Sequence, residues 1–232
     1  MKYKHYSFDL WGTLIKSNTR FKEERVAFFQ SQFNKSGLFP GQIAAIIRNV
    51  DKMCDFTNET SGLNVDAAEM VSMVLYNMGY LVPEVKTMDI ESIYRSLESL
   101  FEMCQPEVYS RETVFKLKDL KSRGATLSIL SNTAFIRGKA LRKYIDNSPF
   151  NGLFDFQLYS DEMGYSKPNP IVFSQLLSSV RGLKKFDPAS PWEIVHVGDN
   201  PNADKFGANQ CGIEAILINC PDKTPKTIIH VP

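Results

Sequence analysis

Four stations along this 232-residue chain carry residues able to do chemistry. Asp9 closes the short apolar run Tyr6-Ser7-Phe8. Ser131 and Asn132 close Leu127-Ser128-Ile129-Leu130. Asp199 follows Glu193-Ile194-Val195-His196-Val197 and Gly198. Lys167 lies in the loop Gly164-Tyr165-Ser166-Lys167-Pro168-Asn169-Pro170, after the alternating run Phe154–Tyr159. Each has an ordinary structural use. Asp9, three residues before Gly12, suits a turn. Ser131 and Asn132 suit the N-cap of a helix from Phe135 onward. Asp204 suits a helix start, where the dipole favours a carboxylate. Together they suit a charged, oxygen-rich ligand. Two carboxylates brought face to face repel unless a proton or cation joins them. A hard divalent cation meets that need, and Mg²⁺ typically takes one or two carboxylates, several waters and a phosphate.

These groups can meet only if the chain builds a shared edge for them. From Arg111 on, short apolar runs alternate with helical stretches. Glu112–Ser122 ends at Gly124, a second helix covers about Phe135–Tyr144, a third runs from Pro170 to about Val180, and a short one carries Ala203–Asn209. Ile213–Ile218 is the last strand, and Arg181–Trp192 reads as a polar connector. That alternation predicts an α/β fold with a doubly wound parallel sheet. In such a sheet the strand tips share one C-terminal edge, where ligands bind.

Between Leu14 and Arg111 the texture differs. Apolar stripes at helical spacing run through Phe21–Asn34, through Ile43, Ile46, Ile47 and Val50 to an end near Phe56, through Ala67–Leu75, and through Ile90–Phe101 behind Asp89 as N-cap. Four helices are too many for one crossover. They predict a smaller all-helical domain at 18–104, inserted into a core made of 1–17 and 105–232.

Composition excludes several classes. Lys and Arg total 27 against 26 Asp and Glu, a net charge of +1 that makes no electrostatic case for nucleic acid or an anionic membrane. Cys54, Cys104, Cys211 and Cys220 are scattered, which suits free thiols in a reducing cytoplasm. No apolar run approaches the roughly 20 residues of a membrane span. A cytoplasmic monomer or homodimer is the expectation.

Taken together, Phe8-Asp9-Leu10-Trp11-Gly12-Thr13, Leu130-Ser131-Asn132-Thr133, Ser166-Lys167-Pro168 and Gly198-Asp199-Asn200-Pro201-Asn202-Ala203-Asp204 resemble the four motifs of the haloacid dehalogenase-like superfamily. The helical insert is similar to the cap of its subfamily I. The resemblance implies a Rossmann-like core and a phosphatase acting on a small phosphorylated substrate. Asp9 would be the nucleophile and pass through an aspartyl-phosphate. Ser131 and the backbone at Asn132 would hold phosphoryl oxygens, and Lys167 would offset charge. Asp9, the Trp11 carbonyl, Asp199 and Asp204 would bind Mg²⁺, the last directly or through water.

One position departs from the family pattern. Its phosphatases carry an Asp acid-base two residues after the nucleophile, and here Trp11 stands there. Indole cannot exchange protons, so a contribution of about 10²–10⁴ in rate must come from elsewhere or be missing. An aromatic at this place is similar to the metal-free L-2-haloacid dehalogenases, but Gly198-Asp199-Asn200 is the metal-binding form of motif four. The alternatives are thus a dehalogenase, or a weakly catalytic relative that binds a phospho-ligand or protein. His196 is expected to be a satisfied core residue. His5 and His230 show no partner in sequence, and Arg48 and Arg95 suit solvated helix faces.

Overall fold

The computed structural model describes residues 2–183, 190–220 and 227–232. Strand β1 (His5–Phe8) leads into a glycine turn and the two-residue β2 (Ile15–Lys16). Helices α1 (Thr19–Phe33), α2 (Pro40–Ser61), α3 (Ala67–Asn77), α4 (Val82–Val85) and α5 (Ile90–Met103) follow. The chain returns through β3 (Glu107–Val108), antiparallel to β2. Next come α6 (Arg111–Ser122), β4 (Thr126–Ser131), α7 (Gly138–Asp146), β5 (Phe156–Tyr159), α8 (Ser160–Met163) and α9 (Pro170–Arg181). The last elements are β6 (Ile194–Gly198), a π-helical segment Pro201–Phe206, α10 (Gly207–Gln210) and β7 (Glu214–Leu217).

Five strands form one parallel sheet in the order β5-β4-β1-β6-β7. The chain starts at the centre, winds outward to β5, then crosses back and winds outward to β7. The direction switches at β1, and the crevice beyond its C-terminal end is where such sheets take ligands. Every residue of β1, β4 and β6 is buried, which explains their nearly unbroken apolar runs.

The inserted helices bury their stripes against each other. Phe29, Ile43, Ile47, Val74 and Leu97 belong to a cluster distinct from the one beneath the sheet, which holds Phe8, Leu10, Leu127 and Val197. Their starts are set by side chains. Asn18 caps α1, Asp66 and Glu69 make a capping box on α3, and Asp89 caps α5.

The elements differ from the sequence reading in several places. α2 runs past Phe56 to Ser61, and this extra turn carries Glu59 to the site. The helix expected from Phe135 begins at Gly138, because Phe135 packs into the helical cluster while Ile136 packs under the sheet. The helix expected at Ala203 begins at Pro201, because the Asn200 side chain accepts from the Asn202 and Ala203 amides. The β2–β3 pair and α4 were not foreseen; two-residue strands and a single turn are too short to show a period. Residues 184–189 of the expected connector lie outside the described residues.

His5 also has partners that its sequence neighbourhood did not reveal. Its ring nitrogens lie 2.8 Å from Thr126 Oγ1 and 2.9 Å from Ser128 Oγ, with Phe156 stacked at 5.5 Å. Among the described residues no helix is long and apolar enough to cross a membrane.

Candidate active site

The backbone amide of Asp9 donates to Val197 O at 2.8 Å, so β6 fixes the end of β1 and the direction of the Asp9 side chain. The chain then turns at Gly12, whose φ of 74° favours glycine. The turn passes so close to β6 that a Cβ on Gly12 would overlap the Asp199 carboxylate. Gly12→Ala should therefore cost more than the roughly 1–2 kcal/mol of a left-handed residue alone, because Asp199 must also move. Denaturation with and without divalent cation would show both effects.

One oxygen each from Asp9, Asp199 and Asp204 lie within 4.8 Å of one another. Thr13, four residues after Asp9 in the same turn, donates to Asp9 Oδ2 at 3.2 Å and Asp199 Oδ1 at 3.5 Å. Asn219 holds the turn from behind through Gly12 O, at 2.9 Å. Lys167 comes in from the loop before α9 and is almost wholly buried, with 1% exposure. Its Nζ donates to Asp204 Oδ1 at 2.6 Å and Asp9 Oδ1 at 2.8 Å. Its backbone is clamped by Asn132, whose Nδ2 donates to Lys167 O at 2.9 Å and whose Oδ1 accepts from Lys167 N at 2.8 Å. Asn132 thus fastens the lysine loop to β4.

Asp204 is the most fully partnered of the carboxylates. Besides Lys167, its Oδ1 meets His196 Nε2 at 3.0 Å and its Oδ2 accepts from the Asn200 amide at 3.0 Å. His196 Nδ1 lies 3.0 Å from Ser7 Oγ. Burial holds the His196 pKa below its usual value, so the ring is neutral, with Nε2–H donating to Asp204 and Ser7 donating to Nδ1. His196 is a satisfied core residue, as its strand position indicated. Its partner, though, belongs to the site, and a histidine in a buried strand was the available signal.

The charges do not balance evenly. Burial opposes the Lys167 charge, but Asp204 and Asp9 outweigh it and hold its pKa above the usual lysine range. For Asp204 the burial penalty is likewise outweighed, by Lys167 and then His196, and its pKa is lowered. Asp9 is left short. Burial, then the neighbouring Asp204 and Asp199, push it up to about 6 against the pull of Lys167. Asp199 is also pushed up to about 6, by burial and then by Asp204. A proton or a cation between the two carboxylates would relieve this repulsion.

Ser131, with 1% exposure, turns its hydroxyl to Asn132 O at 3.1 Å. Trp11 sits edge-on to Phe101 of α5, with ring centroids 6.5 Å apart. Asp9, Trp11, Asn132, Lys167, Asp199 and Asp204 all line one cavity of about 360 Å³. The opposite wall is built from α1 and α2. Glu59 of α2 accepts from Asn200 Nδ2 at 2.7 Å and Asn202 Nδ2 at 2.8 Å, tying this wall to the loop between Asp199 and Asp204. Leu63 just beyond α2 forms an antiparallel bridge with Tyr165, two residues from Lys167. Thr13, Glu59, His196 and Asn219 were absent from the sequence-based site; only Thr13 lay inside a motif.

A parallel sheet that switches direction at β1 brings an aspartate, a lysine and an acidic loop together at its rim, where an α/β enzyme takes its ligand. Residues 3–212 match the family model of haloacid dehalogenase-like hydrolases, and the chain belongs to that family. Among curated relatives, glyceraldehyde 3-phosphate phosphatase of Methanothermobacter thermautotrophicus is 37% identical over 109 residues, 46% of this chain and 43% of that protein. Phosphoserine phosphatase of Thermus thermophilus is 28% identical over 103 residues, 44% of this chain and 37% of that protein. The matched stretch thus spans less than half the length of either relative. In fold, the chain is similar to the HAD hydrolase YfnB of Bacillus subtilis, solved with magnesium, at TM-score 0.70 and 18% identity over 98% of this chain and 94% of that one. It is also similar to L-2-haloacid dehalogenase of Xanthobacter autotrophicus, at TM-score 0.61 and 16% identity over 93% and 77% of the two chains.

Proposed function

We propose that this hydrolase is an Mg²⁺-dependent phosphatase acting on a small phosphomonoester. The carrying observation is the convergence of the Asp9 and Asp199 carboxylates beside Lys167. The donor set fits a hard cation. Asp9 and Asp199 share the weak Thr13 donor, Lys167 donates to Asp9, and both carboxylates have raised pKa values that a cation would bring down. Asp9, Asp199 and the Trp11 carbonyl would hold the ion. Asp204, whose oxygens already accept three hydrogen bonds, suits a water-mediated contact. When bound, Mg²⁺ would supply charge neutralisation at the phosphoryl oxygens.

Asp9 attacks phosphorus, the P–O bond to the leaving group breaks, and an aspartyl-phosphate forms. Water then attacks phosphorus, the Asp9 O–P bond breaks, phosphate leaves with one of the water's protons while the other passes to solvent, and the Asp9 carboxylate is restored. Lys167 stays protonated throughout, held by Asp204, and offsets charge on Asp9 and the transferring group. Ser131 and the backbone at Asn132 receive phosphoryl oxygens, which requires the Ser131 hydroxyl to leave Asn132 O. The inserted helices act as a cap that excludes water. The phosphatase relatives of this chain support the substrate class.

The test is hydrolysis of p-nitrophenyl phosphate. Activity should vanish in EDTA and return with Mg²⁺. Halide release from L-2-chloropropionate in EDTA, without phosphatase activity, would favour the dehalogenase alternative. No turnover of either would favour the binding module. Trp11 gives a second prediction. An aryl leaving group departs without a proton, whereas an alkyl one needs an acid. Trp11→Asp should raise kcat on alkyl phosphates by a larger factor than on aryl phosphates. An equal or reversed effect would count against this reading of Trp11.

A further inference from the structure

We propose that Arg25 of α1 anchors a second anionic group, of carboxylate type, on the non-phosphate end of the substrate. This inference rests on the phosphatase reading and narrows its substrate class. Arg25 lines the same cavity as Asp9 and Lys167, from the opposite wall. It is about nine-tenths buried, with 9% exposure. Its guanidinium is held between two aromatic faces, 4.7 Å from the Phe135 ring centroid and 5.4 Å from that of Phe21. That packing fixes its orientation and adds a cation–π attraction.

Its charge is paired only at long range: Asp51 Oδ2 stands 3.6 Å from Nη2, an ion pair stretched past good hydrogen-bond distance. Nε is buried with no acceptor among the described residues. A buried guanidinium normally satisfies its fork with carboxylate or carbonyl oxygens, because leaving it short is costly. A planar anion entering the cavity would supply that missing acceptor with two oxygens at matching spacing. Lys22, one turn earlier on α1, lines the cavity too and adds a second positive charge.

The other groups on this wall are acidic and supply the competing possibility, a cationic substrate end. α2 presents Asp51, Asp55 and Glu59. Glu59 is taken by Asn200 and Asn202, and Asp51 lies beside Arg25. Asp55, pushed up to about 6 by burial and its two acidic neighbours, is the remaining acid that an ammonium group would seek. A matched substrate series separates the two.

The experiment compares kcat/KM for 2-phosphoglycolate, 2-hydroxyethyl phosphate and 2-aminoethyl phosphate, with p-nitrophenyl phosphate as control. The carboxylate ester should exceed the hydroxyl ester on the order of 10–100-fold, the range of one charge-assisted hydrogen-bonded pair. Arg25→Met keeps the apolar stem between the rings and should bring that ratio close to unity; Arg25→Lys should restore part of it. A general loss of folding or turnover cancels in the ratio. If Arg25→Met fails to fold, the wild-type series and Arg25→Lys decide. A wild-type ratio near unity, preference for the amine, or a ratio unchanged in Arg25→Met would overturn the assignment. Failure on p-nitrophenyl phosphate would instead refute the phosphatase reading. In that case the melting temperature with Mg²⁺ and each of the three esters still tests Arg25. The carboxylate ester should raise it most, and an equal shift with all three would reject the anchor.

Discussion

Lys167→Met is expected to destabilise the protein by about 3–5 kcal/mol, the cost of breaking a buried ion pair by removing one partner. Lys167 is buried between Asp9 and Asp204 at 2.8 and 2.6 Å. The variant leaves both carboxylates, with Asp199 beside them, in a site with no other ammonium or guanidinium within 4.0 Å among the described residues. The loss should depend on pH. Asp9 is already pushed up to about 6 with the lysine present, and without it rises further. The native variant then binds protons that the unfolded chain, with ordinary carboxylates, does not. Stability falls with rising pH where the native state binds more protons. The deficit should therefore be full above the raised Asp9 pKa of the variant, which lies above about 6, and shrink as pH falls through it towards the ordinary carboxylate range. Urea titrations in EDTA between pH 5 and pH 8 would measure this. A loss under about 1 kcal/mol at neutral pH would remove Lys167 from the centre of the site.

Asp9→Asn should leave the fold in place and abolish turnover, with kcat on p-nitrophenyl phosphate falling on the order of 10⁴-fold or more, as for other lost nucleophiles. The amide oxygen can still accept from Lys167 in weaker form, and the amide nitrogen, in place of the other oxygen, can donate to the Thr13 hydroxyl. An amide cannot attack phosphorus and carry the phosphoryl group. Acid-quenched wild-type enzyme should hold a phosphoryl label that base or hydroxylamine releases, and the variant should hold none. Retained activity with retained label would place the nucleophile elsewhere.

The site was legible where chemistry and chain position coincide. Asp9, Ser131 and Asp199 each end or directly follow a buried strand, and apolar runs mark such strands plainly. Lys167 was legible from its loop and motif; its burial was not, since a lysine followed by proline also occurs widely in solvated loops. His196 and His5 show the limit of one-dimensional reading. Both sit in apolar strands, and only strand pairing reveals that one serves Asp204 and the other Thr126 and Ser128. Glu59 was invisible because its helix was expected to stop before it.

The chain alone determined the alternation of strand and helix and the helical insert, and its resemblance to the family motifs implied the nucleophile candidate and the place where the usual acid is missing. The first two are local matters, governed by side-chain period, capping and turn residues over a few positions. Tertiary structure decided which carboxylate pairs with Lys167, which is left short of charge, and which cation faces them across the cavity. Those outcomes depend on the order of strands about β1 and on the desolvation of groups distant in sequence. Electrostatic energy depends on separation and burial in space, and no spacing along the chain encodes either.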